Sequence, residues 1–277
     1  MNIKSIDTCT LKNIINVWNE GFSDYFVPIR ADINGFIKRM ANEDLDAASS
    51  FVVEEDGQLQ GILLNGFYEH NGELLAWNGG TAVLPNARRK GVGRMLLQKS
   101  LEEYKALGVK RASLEAIKAN TGAISLYKEF GYQIKDELIY FKGQVESKGA
   151  NNVDLEFIQP KQLPKLSIYN GNVSWQCRVQ SNLSAQVAVF YDQTKNPIGY
   201  VLFKQTDDEN KQTGFFQLEL TDTVTKEEFL AMLSVITEGG SFQTINMPAS
   251  SRAAKYLIDL KIEEVIRQVW MEKEIDN

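Results

Sequence analysis

The stretch Leu74–Leu107 constrains the fold more than any other part of the chain. A strand-like run, Leu74–Val83, ends at Pro85 and passes through the basic turn Asn86-Ala87-Arg88-Arg89-Lys90-Gly91-Val92-Gly93-Arg94. It continues as a helical pattern from Val92 to Leu107, where Gly108 stops it. A strand, Arg111–Ile117, and a second helical run, Thr121–Phe130 with Gly131 behind it, come next. Strand, loop, helix, strand, helix in that order requires a crossover and hence a parallel strand pair. The first half therefore reads as an α/β domain with a mixed, partly parallel sheet flanked by helices. Upstream, helical spacing covers 11–22 and Ile33–Met40, and the strands Ser50–Glu54 and Gln60–Tyr68 flank the hairpin dipeptide Asp56-Gly57.

The turn itself carries the chemistry. The first N–H groups of a helix have no intrahelical partner, and the macrodipole adds partial positive charge there, so a glycine-lined approach makes an anion site. Arg88, Arg89, Lys90 and Arg94 raise the local field, which suits a pyrophosphate. In the helix behind it, Arg94, Gln98, Glu102 and Lys105 form one polar stripe, and apolar residues occupy much of the remaining circumference. Such a helix packs on more than one side and holds the turn rigidly. Two other phosphate loops do not fit. The dinucleotide fingerprint wants a third glycine where Leu96 stands, and no Gly-Lys-Ser/Thr string of a nucleoside triphosphate loop occurs.

Any such anion site must be local, because the net charge of −6 gives the 277-residue chain no overall grip on nucleic acid or anionic lipid. The start, Met1–Thr10, lacks a secretory pattern, and no run approaches a membrane span. Cys9 and Cys177 are far apart with no ligand set around either, so neither a disulfide framework nor a metal site is expected, and a reducing cytoplasm is. His70, the only histidine, reads as a solvated loop residue within Tyr68–Gly72.

The polar run Gln144–Asn152 reads as a linker, which divides the chain into domains at 1–144 and 150–277. Beyond it, Val187–Tyr191, Asn196-Pro197 and Gly199–Phe203 echo Phe51–Val53, Asp56-Gly57 and Gly61–Leu64. Ala253–Leu257 parallels Ala123–Tyr127 at a constant offset of 130. The economical reading is a degenerate internal repeat. At that offset Asn120 becomes Ser250, Tyr127 becomes Leu257 and Gly131 becomes Lys261. Leu220-Thr221-Asp222-Thr223 replaces the basic turn, and Ser174-Trp175-Gln176 marks packing rather than chemistry.

Arg88-x-x-Gly91-x-Gly93 after Val83-x-Pro85, followed by Asn120-x-x-Ala123-x-x-Leu126-Tyr127-x-x-x-Gly131-Tyr132, resembles the acyl-CoA-dependent GNAT N-acetyltransferase superfamily. The resemblance covers about residues 1–142 and implies a GNAT-like α/β fold, with acetyl-CoA as co-substrate and no metal. It implies that Arg88, Arg89, Lys90, Gly91, Val92, Gly93 and Arg94 form the pyrophosphate loop, that Ala82 and Val83 pair with pantetheine, and that Asn120 contacts the CoA arm. Tyr127 would then lie near the sulfur as the acid. The segment Leu114–Asn120 is similar to that of the ribosomal-protein N-terminal acetyltransferases, in which a Glu five residues before the Asn is the base. That position here is Glu115.

The residue types fit. An amine is mostly protonated at neutral pH and must lose a proton before it attacks a thioester, and the departing thiolate benefits from a donor. A water relay is the alternative to Glu115, and Glu69 and Glu73 are further candidate bases. The expected acceptor is the primary amine of a small molecule or peptide, walled by Phe22–Ile29 with Tyr25 and Phe26. The competing reading is a non-catalytic acyl-CoA sensor or interaction module. The second copy lacks the loop and the tyrosine, and is expected to bind no CoA.

Overall fold

The computed structural model describes residues 1–145, 154–206 and 212–276. In chain order the first part forms β1 (Asn2–Ser5), α1 (Leu11–Gly21), α2 (Ile33–Asn42), β2 (Leu45–Glu55), β3 (Gln58–His70), β4 (Glu73–Val83), α3 (Val92–Leu107), β5 (Arg111–Ile117), α4 (Thr121–Glu129) and β6 (Gln133–Gln144). The remainder forms β7 (Asp154–Ile158), β8 (Gln186–Tyr191), β9 (Pro197–Gln205), β10 (Thr213–Leu220), α5 (Lys226–Thr237), β11 (Ser241–Thr244), β12 (Met247–Pro248), α6 (Arg252–Asp259) and β13 (Glu263–Glu274). Two compact units result, Met1–Lys135 with Trp270–Asn277, and Asp136–Val269.

In the first unit β1, β2, β3 and β4 pair antiparallel in sequence, and β4 pairs parallel with β5. Local chemistry explains the turns. Asp56 (φ 51°) with Gly57 (φ 77°), and Asn71 (φ 51°) with Gly72 (φ 77°), supply the two successive positive φ values that a tight hairpin needs. Thr10 caps α1 by accepting from Asn13 N–H, and Gly108 (φ 74°) ends α3. Val52, Val53, Ile62, Leu63 and Leu64 from the sheet, and Leu96, Leu97 and Tyr104 from α3, are fully buried, which fixes the helix against the strands. The Gly61 position shows how tightly, since a Cβ there would lie 2.8 Å from Val92 and 2.9 Å from the Ala82 carbonyl.

The second unit repeats the plan, with β11 parallel to β10 and antiparallel ladders through β9, β8 and β7. Phe203, Phe215, Phe229, Phe242 and Leu257 belong to its main core. Trp175 is buried and carries the Arg178 guanidinium 3.7 Å above its ring, a packing role.

Two expectations need correction. The division falls at Asp136 rather than in a linker, and Trp270–Asn277 rejoins the first unit, where Ile275 N–H bonds to Lys110 O at 2.9 Å and Glu272 pairs with Lys135 at 2.8 Å. Of the expected linker Gln144–Asn152, residues 146–152 lie outside the described residues. His70 is not in a loop: it is the half-buried last residue of β3, 6.0 Å from the Tyr68 ring. At the offset of 130 the ends of α4 and α6 correspond, Ile262 N–H bonding to Leu257 O as Tyr132 N–H does to Tyr127 O, while α6 starts one residue later with Ser251 as its cap.

Candidate active site

The parallel pairing of β4 with β5 runs from Leu75↔Arg111 to Asn78↔Leu114 and stops there, although β4 continues to Val83 and β5 to Ile117. A bulge marks the parting point. Leu64 opposes Gly80 and Asn65 opposes Asn78, so Gly79 is an extra residue that twists the end of β4 away. Gly80–Val83 stays bonded to β3, and its other edge faces the gap. Ala82 is buried against α1, where a Cβ on Gly21 would approach it to 2.7 Å.

Past Val83 the chain makes a short 3-10 turn, Pro85–Ala87, and enters the basic loop. Arg89 (φ 62°) and Gly91 (φ 87°) adopt left-handed backbone, and Gly91 is the N-cap of α3 with no side chain capping it. The first return bond of the helix is Met95 N–H to Gly91 O, 2.9 Å. The N–H groups of Val92, Gly93 and Arg94 therefore precede the intrahelical ladder. The basic side chains divide into two kinds. Arg88 is taken up by the fold, with both Asp24 carboxylate oxygens, Gly21 O (3.1 Å) and Val83 O (3.2 Å) as partners. Arg94 pairs with Glu129 and lies 5.3 Å from the Phe130 ring centre. Arg89 and Lys90 are exposed, without an ion-pair partner among the described residues.

Tyr127, on α4, is buried near the bulge of β4, where the Thr81 and Asn78 side chains partly offset the effect of burial on its phenol. Burial pushes its pKa up to about 12, so it is a proton donor at neutral pH. The Tyr132 ring stands edge-on to it at 6.0 Å, and burial raises that phenol as well. Asn120 caps α4, its side-chain oxygen accepting from Ala123 N–H at 3.3 Å. Tyr25 bonds to the Asn120 side chain and to the Ile117 backbone, and burial raises its pKa. Glu115, half-buried on β5, accepts a 2.7 Å hydrogen bond from the Trp77 indole. Glu69 and Glu73 sit instead at the turn end of the β3–β4 hairpin, away from the parting point.

Sequence reasoning missed Asn78, Thr81 and Trp77, because ordinary strand residues carry no motif, and the bulge that aims them is a tertiary feature. Tyr25 and Asp24 were legible only as part of an aromatic, helix-breaking stretch. A ring ladder, Trp18–Phe22 (4.7 Å), Phe22–Tyr25 (5.0 Å) and Tyr25–Phe26 (5.3 Å), anchors that stretch and ends at Phe26, 56% exposed.

The second unit has a different loop at the equivalent place. Thr225 caps α5 through Glu228 N–H, and Glu228 reaches back to Thr225 N–H at 2.7 Å, a reciprocal box that satisfies the helix start internally. Asp222 faces Arg252 at 3.4 Å.

Among the described residues no group of three potential metal-ligating side chains occurs, and no helix is long and apolar enough to cross a membrane. The sequence model of the acetyltransferase (GNAT) family matches residues 12–132. Over 51 residues the chain is 41% identical to the [ribosomal protein bS18]-alanine N-acetyltransferase of Salmonella typhimurium, a match that covers 18% of this chain and 34% of that protein. Among solved structures, a GCN5-related N-acetyltransferase from Sphaerobacter thermophilus superposes with a TM-score of 0.68 at 12% identity, covering 100% of this chain and 96% of that one. A tandem GNAT protein from the clavulanic acid biosynthesis pathway superposes with a TM-score of 0.63 at 11% identity, covering 100% and 99%. These two likenesses establish the fold. Residues 12–132, within the first unit, are thus a GNAT-family match on a GNAT-like fold.

Proposed function

We propose that the first unit transfers an acetyl group from acetyl-CoA to the primary amine of a small molecule or peptide, by direct attack within a ternary complex. One observation carries this reading: an uncapped, glycine-started helix N-terminus stands directly behind a strand end that has parted from its parallel neighbour. The two features suit the two halves of one ligand. A diphosphate is matched by the amides of Arg89–Arg94 and the free charges of Arg89 and Lys90. A chain of amides is matched by the open backbone edge at Ala82 and Val83. Asn120 would contact the same arm, although its oxygen is shared with the helix it caps. Arg88 would act by holding the loop rather than by meeting phosphate.

Acetyl-CoA, when bound, supplies an activated acyl thioester. Glu115, oriented by Trp77, takes the proton of the incoming ammonium, directly or through water. Tyr127, protonated by virtue of its burial, gives its proton to the departing thiolate. The Phe22–Ile29 segment borders the acceptor, and the relative that acetylates a ribosomal-protein alanine favours a peptide amine among the possible acceptors. The second unit, residues ~136–269 by contact and closed at its helix start by Thr225 and Glu228, serves without a CoA of its own.

A panel of polyamines, amino acids, aminoglycosides and peptides with free N-termini, incubated with acetyl-CoA and read by thiol release, tests the proposal. Release with at least one acceptor, abolished by Tyr127→Phe, is expected. Binding of acetyl-CoA without release across the panel would favour the sensor reading.

A further inference from the structure

A bulge leaves its extra residue without a ladder partner, so the peptide groups there must be satisfied in another way. At the bulge of β4 side chains do this. Gly79 O accepts from Nη2 of Arg39, and Gly80 N–H, the other end of the same peptide group, donates to Oδ1 of Asn78 at 3.0 Å. The flanks of that peptide are closed as well. A Cβ on Gly79 would lie 2.7 Å from Leu45 and from Trp77, and one on Gly80 would lie 2.6 Å from Trp18. The guanidinium arrives from α2 already oriented: Arg39 Nε donates to Glu43 at 2.8 Å, and the group lies 4.8 Å from the Trp18 ring centre. The helix itself is tied to α1. The Asn19 side chain donates to Ala31 O and accepts from Ala31 N–H, each at 2.9 Å, and the buried Phe36 ring stands 6.1 Å from that of Trp18.

We propose that Arg39 is a positioning residue for acetyl transfer: through the Gly79 carbonyl it holds the bulge, and with it the point where β4 parts from β5. This rests on the reading of the gap as the acetyl-CoA site. On that reading the diphosphate lies at the α3 end of Gly80–Val83 and the acyl thioester lies toward the bulge, so a loosened bulge disturbs the reacting end and spares the diphosphate. A charge-assisted hydrogen bond is strong enough to fix one peptide plane. Arg39 also joins the two sides of the reaction. Its helix follows the Phe22–Ile29 segment that borders the acceptor, and its guanidinium ends on the strand that holds the donor.

The second unit offers an internal comparison. In β10, Phe215 opposes Phe203 and Gln217 opposes Leu202, so Phe216 is the extra residue of the same irregularity. Phe216 and Gln217 thus stand where Gly79 and Gly80 stand in β4, and a bulge at this place in the fold forms without glycine. The glycines of the first unit serve the close approach of Trp18, Trp77 and Leu45. The bulge alone therefore does not account for the glycine pair, the tryptophan packing and the Arg39 bond, which together fix one peptide.

The test uses variants of the full chain, acetyl-CoA and an amine that the wild type acetylates. Arg39→Ala is expected to lower kcat by roughly ten- to a hundredfold, the share of a hydrogen bond to a charged group, with KM for acetyl-CoA within about threefold. Ethylguanidinium at millimolar concentration should restore part of that rate and leave the wild type unchanged, a rescue that a general loss of stability would not show. Hydrogen exchange, which needs no turnover, should become faster by roughly tenfold or more at the Gly80 amide. Arg39→Lys puts one ammonium in place of a fork that meets Glu43 and Gly79 together. It should show the same pattern to a smaller degree, and it serves if a thermal melt shows the alanine variant unfolded. Wild-type kcat in a folded variant, a loss confined to KM for acetyl-CoA, or an unchanged Gly80 exchange rate would overturn the inference. Absence of turnover in the wild type with every amine would instead remove the transferase reading, and the exchange rate alone would then decide whether Arg39 fixes the bulge.

Discussion

Replacing Gly93 by aspartate should stabilise the protein and abolish acetyl-CoA binding at once. Gly93 is the second residue of α3, and a Cβ there would meet Leu126 at 3.4 Å and Val83 at 3.8 Å, ordinary contacts. Nothing opposes the added Cβ sterically, and the backbone lies within the helix. Exchanging a helical glycine for aspartate gains a few tenths of a kcal/mol, and a carboxylate in the first turn adds about 0.3–1 kcal/mol through the macrodipole. The sum of about 1 kcal/mol corresponds to a rise of about 2–4 °C in Tm for a protein of this size class. The same carboxylate would sit where a diphosphate must approach. A like charge at roughly 4 Å in an effective dielectric of about 20 costs about 4 kcal/mol, close to a thousandfold in Kd. Calorimetric titration with acetyl-CoA, paired with a melt of the unliganded protein, reads both signs. Acetyl-CoA affinity within twofold of wild type in the folded variant would show that the ligand does not use the α3 N-terminus.

Other substitutions test the remaining parts. Tyr127→Phe should leave acetyl-CoA affinity within a few-fold and cut kcat by roughly 10²–10⁴, the usual share of a positioned proton donor, and wild-type turnover would reduce Tyr127 to packing. Glu115→Gln should lower kcat/KM and flatten the acidic limb of its pH profile, whereas an unchanged limb would assign the base elsewhere. Asp24→Asn removes the ion pair through which Arg88 holds the loop and should weaken acetyl-CoA by at most about fivefold, the limit for an exposed ion pair, while raising KM for the acceptor; no change in either would disconnect that segment from the site. The Arg88 hydrogen bonds hold the Asp24 carboxyl below its usual value of 3.8. The clasp is therefore intact above that value and is lost as pH falls through the lowered one. Titration of the full chain should give one acetyl-CoA per chain, and two equivalent sites would contradict the self-capped start of α5.

Much of the site was legible because it is local. A glycine with positive φ before a helix, and a cap followed by an alanine and a tyrosine at fixed spacing, are written in consecutive residues, and Val92–Leu107 and Arg111–Ile117 emerged with the expected ends. What escaped was set by distant partners. The edge strand Asn2–Ser5 has no alternating apolar signal, and it exists because it pairs with Phe51–Glu54. Arg88 reads in isolation as a free basic side chain of the loop, and its pairing with Asp24, remote in sequence, is visible only in the structure. Asn78 and Thr81 share a face only because Gly79 is skipped in the register with β3. The domain boundary misled for a related reason: a polar run signals where chain is exposed, and it does not say which unit a strand beyond it joins.

The return of Trp270–Asn277 to the first unit sets the order of events in synthesis. Lys110 and Glu272's partners Arg111 and Lys135 are all made early, and their complement arrives only after the whole of Asp136–Val269 has been translated. Until then the first unit has an unfilled strand position beside β5, and an unfilled strand position is a template for the wrong partner. Closing it joins residues more than 130 positions apart, which slows folding. The proposed transfer site is thereby tied to Trp270–Asn277, although no proposed acetyl-transfer residue lies there.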